Sequence, residues 1–340
     1  MSKQLLTTDG TLESADKRWV QAEHSSLPLP AVTYLPLIAL AIAILLHVLI
    51  PNKQSFTNVK HYLTVLELLT AIYIILLLAS IKLTKLRKVL TEKAPLWAAA
   101  FIILTIWDLI TLKYRLLPLP YFPEPDKILN AFSADKSLLA LSTVYSVRLL
   151  FTGYILGAVV GLVTGIMIGW SKKWNYWISP LIRIIGPIPA TAWIPIALIV
   201  FPTSFWASVF LISLAVWFPV TVMSSSGIEN VRNSYLEVAR TLGANERYLI
   251  FKVALPAASH TIFIGLFMGL GISFVTLIVA EMLGVKAGLG WYITWAQGWA
   301  DYSKVYASLL VIAVIFSGII NLFFRAKDKV LVWQRGLIKW

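Results

Sequence analysis

The sequence predicts an all-α polytopic membrane protein, and three observations predict it. The 340 residues are 59% hydrophobic and only 13% charged, with a mean hydropathy of +0.79. That is too little charge to cover a soluble domain of this size. Eight apolar runs are long enough to cross a bilayer as helices, which takes about 20 residues each. The basic residues are distributed unevenly between the connecting segments. With the N-terminus inside, nineteen of the 29 Lys and Arg residues fall in inner segments and eight in outer ones, leaving only Arg148 and Arg183 within the runs. This is the positive-inside pattern, and it predicts that both termini are cytoplasmic. It also accounts for the net charge of +13 without a nucleic-acid partner, because the basic residues sit between apolar runs rather than on one polar domain.

The runs follow in order at about 31–50, 62–81, 95–112, 142–169, 178–200, 205–225, 259–280 and 305–324. The first is preceded by a mostly polar segment of residues 1–30 and is long enough to span. It therefore reads as a membrane helix and not as a cleaved secretion signal, whose apolar core is shorter. The fourth run is long and carries Gly153, Gly157, Gly161, Gly165 and Gly169. Spacing of four places them on one helix face, where another backbone can approach closely. Pro187, Pro189 and Pro195 interrupt the fifth, with Thr191 and Trp193 between them. Broken backbone at membrane depth is tolerated where protein or a watery cavity receives it, so Pro187, Pro189, Thr191 and Trp193 are candidates for lining a path. Trp170, Trp174 and Trp177 flank the inner loop of Lys172 and Lys173 as an interfacial belt would. Trp291, Trp295 and Trp299 recur every four residues, predicting a flat interfacial helix on the outer side.

Charges inside apolar runs are costly and draw functional attention. Arg148 and Glu281 both fall near outer ends of their runs, where they could pair or meet a translocating anion. Catalytic patterns are missing from the sequence. It holds no cysteine, four scattered histidines, no Gly-x-x-x-x-Gly-Lys phosphate loop and no hydrolase signature. A catalytic or metal role is therefore not expected, and an energy source must come from a partner.

The inner loop between the sixth and seventh runs carries the most information. Residues 234–242 predict a short amphipathic helix stopped by Gly243, a second short helix follows from Asn245, and Pro256 opens the next run. Leu236, Val238, Ala239 and Leu242 supply apolar contacts, while Glu237, Arg240 and Arg247 stay polar. Glu237-Val-Ala239, Gly243 four residues later, and Val253-Ala-Leu-Pro256 resemble the EAA loop of ABC importer permeases, with Val238 in place of the family's first alanine. The resemblance covers residues 95–325. It is nearest to the nitrate, sulfonate, taurine and bicarbonate group through the prolines Pro120 and Pro125, Arg148 with Gly153, the segment Pro187 to Pro195, and Glu281 followed by Gly288-Leu-Gly290.

This resemblance implies a type I ABC importer transmembrane domain: a six-span core at 95–325 with the coupling loop at 229–256. Residues 31–94 would add two N-terminal spans, with cytoplasmic tails at 1–30 and 326–340. It implies that Leu236, Glu237, Val238, Ala239, Arg240, Leu242, Gly243, Ala244, Leu255 and Pro256 dock a cytoplasmic ABC ATPase subunit, which binds the ATP and Mg. An external substrate-binding protein would deliver a small solute, a sulfonate, taurine or nitrate, to a permease homodimer in the bacterial inner membrane. Relatives that carry heterocyclic vitamin precursors leave an alternative cargo, and an ion-coupled secondary transporter is the rival mechanism. No buried mid-membrane carboxylates or repeated halves are evident to support the latter.

Overall fold

A computed structural model describes residues 29–53 and 60–332 of the chain. The tail segments 1–28 and 333–340 lie outside the described residues. Every regular element among the described residues is helical, and they fall into two compact units that divide after Ala131.

The N-terminal unit is built on α1 (Leu35–Leu49), α2 (Lys60–Lys82) and α3 (Thr84–Asp108), which continues through a widened turn at Leu109–Lys113. Leu40 and Ala43 of α1 pack with Tyr62 and Leu66 of α2, and Tyr73 stacks edge-on against Trp97 of α3 at 5.9 Å. Asp108, near the end of its apolar run, is buried. It receives His47 Nδ1 at 2.8 Å. Lys113 donates to the carbonyls of His47 and Ile50 and to Asn52 Oδ1, so it closes the C-terminal end of α1. A lysine at that end complements both the orphan carbonyls and the helix dipole. The third span packs with the first two inside this unit, where Asp108 and Lys113 find partners on α1 and the residues that follow it.

The second unit contains α5 (Lys136–Trp170), α6 (Lys172–Ile185), α7 (Ile194–Val200), α8 (Ser204–Glu229), α9 (Asn233–Thr241), α10 (Glu246–Tyr248), α11 (Leu255–Gly284), α12 (Leu289–Gly298) and α13 (Tyr302–Val330). The short α4 (Pro125–Ala134) precedes them. The glycines of α5 seat that helix on α8. A Cβ on Gly153 would fall 2.7 Å from Ile212, on Gly157 2.5 Å from the Ser213 carbonyl, on Gly161 2.8 Å from Val220, and on Gly165 2.5 Å from Ser224. Partners advance in the same direction on both helices, so α5 and α8 run parallel. On the other side of α8, Gly227 meets Ala258 and Thr261 while Gly269 meets Val216, so α11 runs antiparallel. Phe263 meets Phe323 and Phe274 stacks on Phe316 at 3.9 Å, which sets α13 antiparallel to α11.

The parallel pairing decides the topology of the proline-rich stretch. Because α5 and α8 start on the same side of the bilayer, residues 171–203 must cross back between them. They do so as α6 and a second half at Ala190–Val200, bent by 86° where Pro187 and Pro189 deny backbone donors. Seven helices among the described residues are long and apolar enough to span, and this broken pair is the eighth.

Candidate functional site

The loop after α8 carries exposed apolar side chains at Tyr235, Val238 and Leu242. Helix α9 ends in a two-bond cap: Gly243 N–H donates to the Arg240 carbonyl at 2.9 Å and Ala244 N–H to the Ala239 carbonyl at 3.0 Å. That arrangement requires a left-handed residue at its turn, and Gly243 supplies it with φ +85°. Asn245 then caps α10, its Oδ1 accepting Tyr248 N–H at 2.9 Å. A wide turn at Leu249–Ala254 leads to Pro256, which has no N–H to donate to the turn before it. Leu249 and Ala254 are fully buried, and Ala254 packs with Ile228, Ala258 and Ile262, rooting the knob in the bundle.

What the knob leaves exposed is apolar at its tip and charged at its edge. Leu242 is 82% exposed and Val238 60%, with Tyr235, Tyr248 and Phe251 also open, while Glu237, Arg240, Arg247 and Lys252 surround them. A concavity of about 460 Å³ lies between the two short helices, lined by Tyr235, Val238, Ala239, Leu242, Gly243 and Lys252 among others. Apolar tips rimmed by charge suit a protein partner in water better than a lipid surface. Of the loop residues predicted from sequence, Glu237, Val238, Arg240, Leu242 and Gly243 are exposed, and Leu236, Ala239, Ala244, Leu255 and Pro256 are half-buried behind them.

Trp193 lies on a cleft of about 480 Å³ with Leu156, Ile185, Phe210, Leu214 and Trp217. Its indole N–H is buried, with no hydrogen-bond partner among the described residues. Trp217 by contrast donates to Thr164 Oγ1 at 3.1 Å. Pro187 and Pro189 are exposed at the bend, and Thr191 is half-buried. Arg148 is exposed on α5 with its guanidinium 5.2 Å from the centre of the Phe205 ring. Glu281 is 1% exposed and bonded to Ser146 and Gly290, so Arg148 and Glu281 do not pair. Sequence reasoning missed Ser146, since nothing in its type or spacing singles out one serine of a span.

The tryptophans of α12 do not share one exposed face. Helix α12 buries Leu289, Tyr292, Ile293 and Ala296, and Trp291 and Trp295 stack at 6.2 Å within that packing; only Trp299 is widely exposed. Asp135 accepts both Tyr292 Oη–H and Lys304 Nζ–H at 2.8 Å. Burial pushes the Asp135 carboxyl up, but the Lys304 and Tyr292 hydrogen bonds and the lysine charge outweigh it and leave the group below its ordinary value. Burial first, and then the same contact, push the Tyr292 hydroxyl well above the phenol range.

Comparisons with known proteins bear on both regions. The model of the family described as binding-protein-dependent transport system inner membrane component matches residues 157–331. The nitrate import permease protein NrtB of Leptolyngbya laminosa is 29% identical over 245 residues, covering 70% of this chain and 86% of that protein. The bicarbonate transport system permease protein CmpB of Synechococcus elongatus is 31% identical over 208 residues, 60% of this chain and 71% of its own. Among solved structures, a chain of the inward-facing MetNI methionine ABC transporter aligns with a TM-score of 0.50 at 17% identity, covering 61% of this chain and 99% of that one. That last likeness is one of fold.

Proposed function

The chain belongs to the family of binding-protein-dependent transport system inner membrane components, and from that premise we propose that it moves a small anion through the membrane under the drive of a partner ATPase. As the permease of an ABC importer it is a multi-pass, non-catalytic subunit of the inner membrane. A cytoplasmic ATPase docks on the knob of residues 229–256, and an external binding protein supplies the solute to a pore shared by two copies of this chain. Both termini then face the cytoplasm, as the bias of Lys and Arg requires, and lipid surrounds the exposed apolar faces.

The observation that carries this reading is the knob itself, an exposed Leu242 and Val238 held by the glycine cap at Gly243 and rooted through Leu249. A compact element fixed to the bundle transmits the ATPase's closing motion to the spans; a floppy one would absorb it. The anion reading is supported by the relatives named for nitrate and bicarbonate and by Arg148. A cation exposed on a spanning helix, with no carboxylate paired to it among the described residues, calls for a water-filled path. The broken span with Pro187, Pro189, Thr191 and Trp193 lines that path in this reading, opening at its bend.

The test uses whole cells carrying the complete transporter and labelled nitrate, bicarbonate and a small sulfonate. Gly243→Pro and Glu237→Lys should abolish ATP-dependent uptake while the permease remains inserted. Uptake that survives both variants, or that follows an ion gradient instead of ATP, would remove the assignment.

A further inference from the structure

Three outer elements of the second unit meet at one buried carboxylate. Glu281, close to the C-terminal end of α11, accepts the Ser146 hydroxyl of α5 at 2.7 and 2.9 Å, and its Oε2 also accepts Gly290 N–H at 2.8 Å. Ser146 Oγ in turn accepts Leu289 N–H at 2.8 Å. Leu289 and Gly290 open α12, so the carboxylate lies at a helix N-terminus, where the aligned peptide dipoles favour negative charge. Among the described residues no ion pair reaches Glu281, and dipoles alone satisfy it. The surroundings admit nothing larger: a Cβ on Gly288, whose φ is +134°, would fall 2.5 Å from the Glu281 carboxyl carbon, and one on Gly290 2.8 Å from its Cβ.

A carboxylate is a poor choice for filling space between helices, because desolvation offsets much of what its bonds return, and an apolar side chain of similar size would pack without that cost. What directed hydrogen bonds add is orientation. Ser146 and Arg148 are two residues apart on α5, which on a helix of 3.6 residues per turn is about 200° of rotation. Holding Ser146 inward therefore turns Arg148 outward. The glycine seat on α8 begins only at Gly153, so the outer turns of α5 lie beyond it.

We propose that Glu281 is a positioning residue: through Ser146 it sets the rotation of the outer half of α5 and so holds Arg148 on the exposed face of that helix beside Phe205, toward the transport path. The importance of that placement for transport rests on the reading of Arg148 given above, whereas the latch is tested by geometry alone.

The chain contains no cysteine, so single spin labels can be attached at Ala140→Cys and Tyr145→Cys in the full-length transporter in lipid nanodiscs. Both positions are exposed and they flank the open face of α5, about 140° apart. The readout is collision of each nitroxide with dissolved oxygen, which works in lipid and in water. Adding Glu281→Ala, or Ser146→Ala where the first fails to insert, should move the two labels in opposite directions, each by at least twofold. No change at either label, or a change of the same sign at both, overturns the proposal, because a merely loosened bundle exposes both faces together. Unaltered nitrate and bicarbonate uptake in Arg148→Gln, alongside opposed label shifts, would sink the path reading and leave the latch standing.

Discussion

Trp170 donates its indole N–H to Glu246 Oε2 across 3.1 Å, joining the C-terminal end of α5 to the first turn beyond Gly243. The other carboxylate oxygen lies 3.7 Å from Arg240 on α9, and both members of that pair are more than half exposed. Exposed pairs are screened and entropically costly, contributing about 0–1 kcal/mol. The knob's fixed attitude must come from burial beneath it, where Leu249 and Ala254 are closed off completely. Glu246→Ala should therefore leave stability within about 1 kcal/mol of the parent, while Leu249→Ala should cost about 2–5 kcal/mol. Thermal unfolding of the detergent-solubilised protein checks this, and a larger loss in Glu246→Ala would place the anchor at the ion pair.

Leu242 carries almost no intramolecular packing, being 82% exposed beside the Gly243 cap. Large apolar groups at the centre of an interface carry much of its affinity, whereas exposed positions tolerate polar replacement in the free protein. Leu242→Glu should weaken ATPase association at least about tenfold, roughly 1.4 kcal/mol, with unchanged thermal stability. Co-purification titrations of the ATPase subunit against the solubilised permease measure it, and undiminished association would move the docking surface elsewhere.

The glycine seat between α5 and α8 makes a steric prediction. A methyl at position 161 meets Val220 at 2.8 Å and the Trp217 carbonyl at 3.1 Å, while at Gly271 nothing lies within 4 Å. Overpacking a close helix pair costs about 1–3 kcal/mol. Gly161→Ala should lower the melting temperature and Gly271→Ala should not, the two differing only in what the methyl encounters.

Hydropathy and charge bias made the spans legible, because membrane helices must be both long and apolar; each of the eight runs corresponds to a helix or to the broken pair. The knob after α8 was legible for a related reason. Gly243 and Pro256 each act on their own backbone, so their positions in sequence fix where helices stop and start. Long-range polar pairing was not legible. Asp108 resembles any residue near a span end until His47, 61 positions away, proves to be its partner. Ser146 is likewise one serine among several until Glu281, 135 positions on, selects it. The tryptophan spacing of α12 left its surroundings open for a similar reason: a period of four reports a shared face and says nothing of whether lipid or protein covers it. Here Leu289, Tyr292 and Ile293 draw the helix into the bundle.

The Asp135 contact fixes a pH dependence. Its carboxyl is held below the ordinary 3.8 by Lys304 and Tyr292 despite partial burial, so the folded protein binds that proton less tightly than the unfolded chain does. A depressed carboxylate contributes stability that is fully present above the unfolded value and is lost as pH falls through the lower folded one. The stability difference between the parent and Asp135→Asn should therefore stay flat from pH 8 down to about 5, and shrink only below the ordinary carboxylate value. Lys304 also lies 4.8 Å from the centre of the Trp295 ring and 3.9 Å from Asp301 Oδ2, so losing the Asp135 carboxylate leaves the ammonium two weaker attractions. Paired unfolding curves across that range, read at Trp fluorescence, decide the matter. A difference that already narrows between pH 7 and 5 would mean that some other group controls this end of α13.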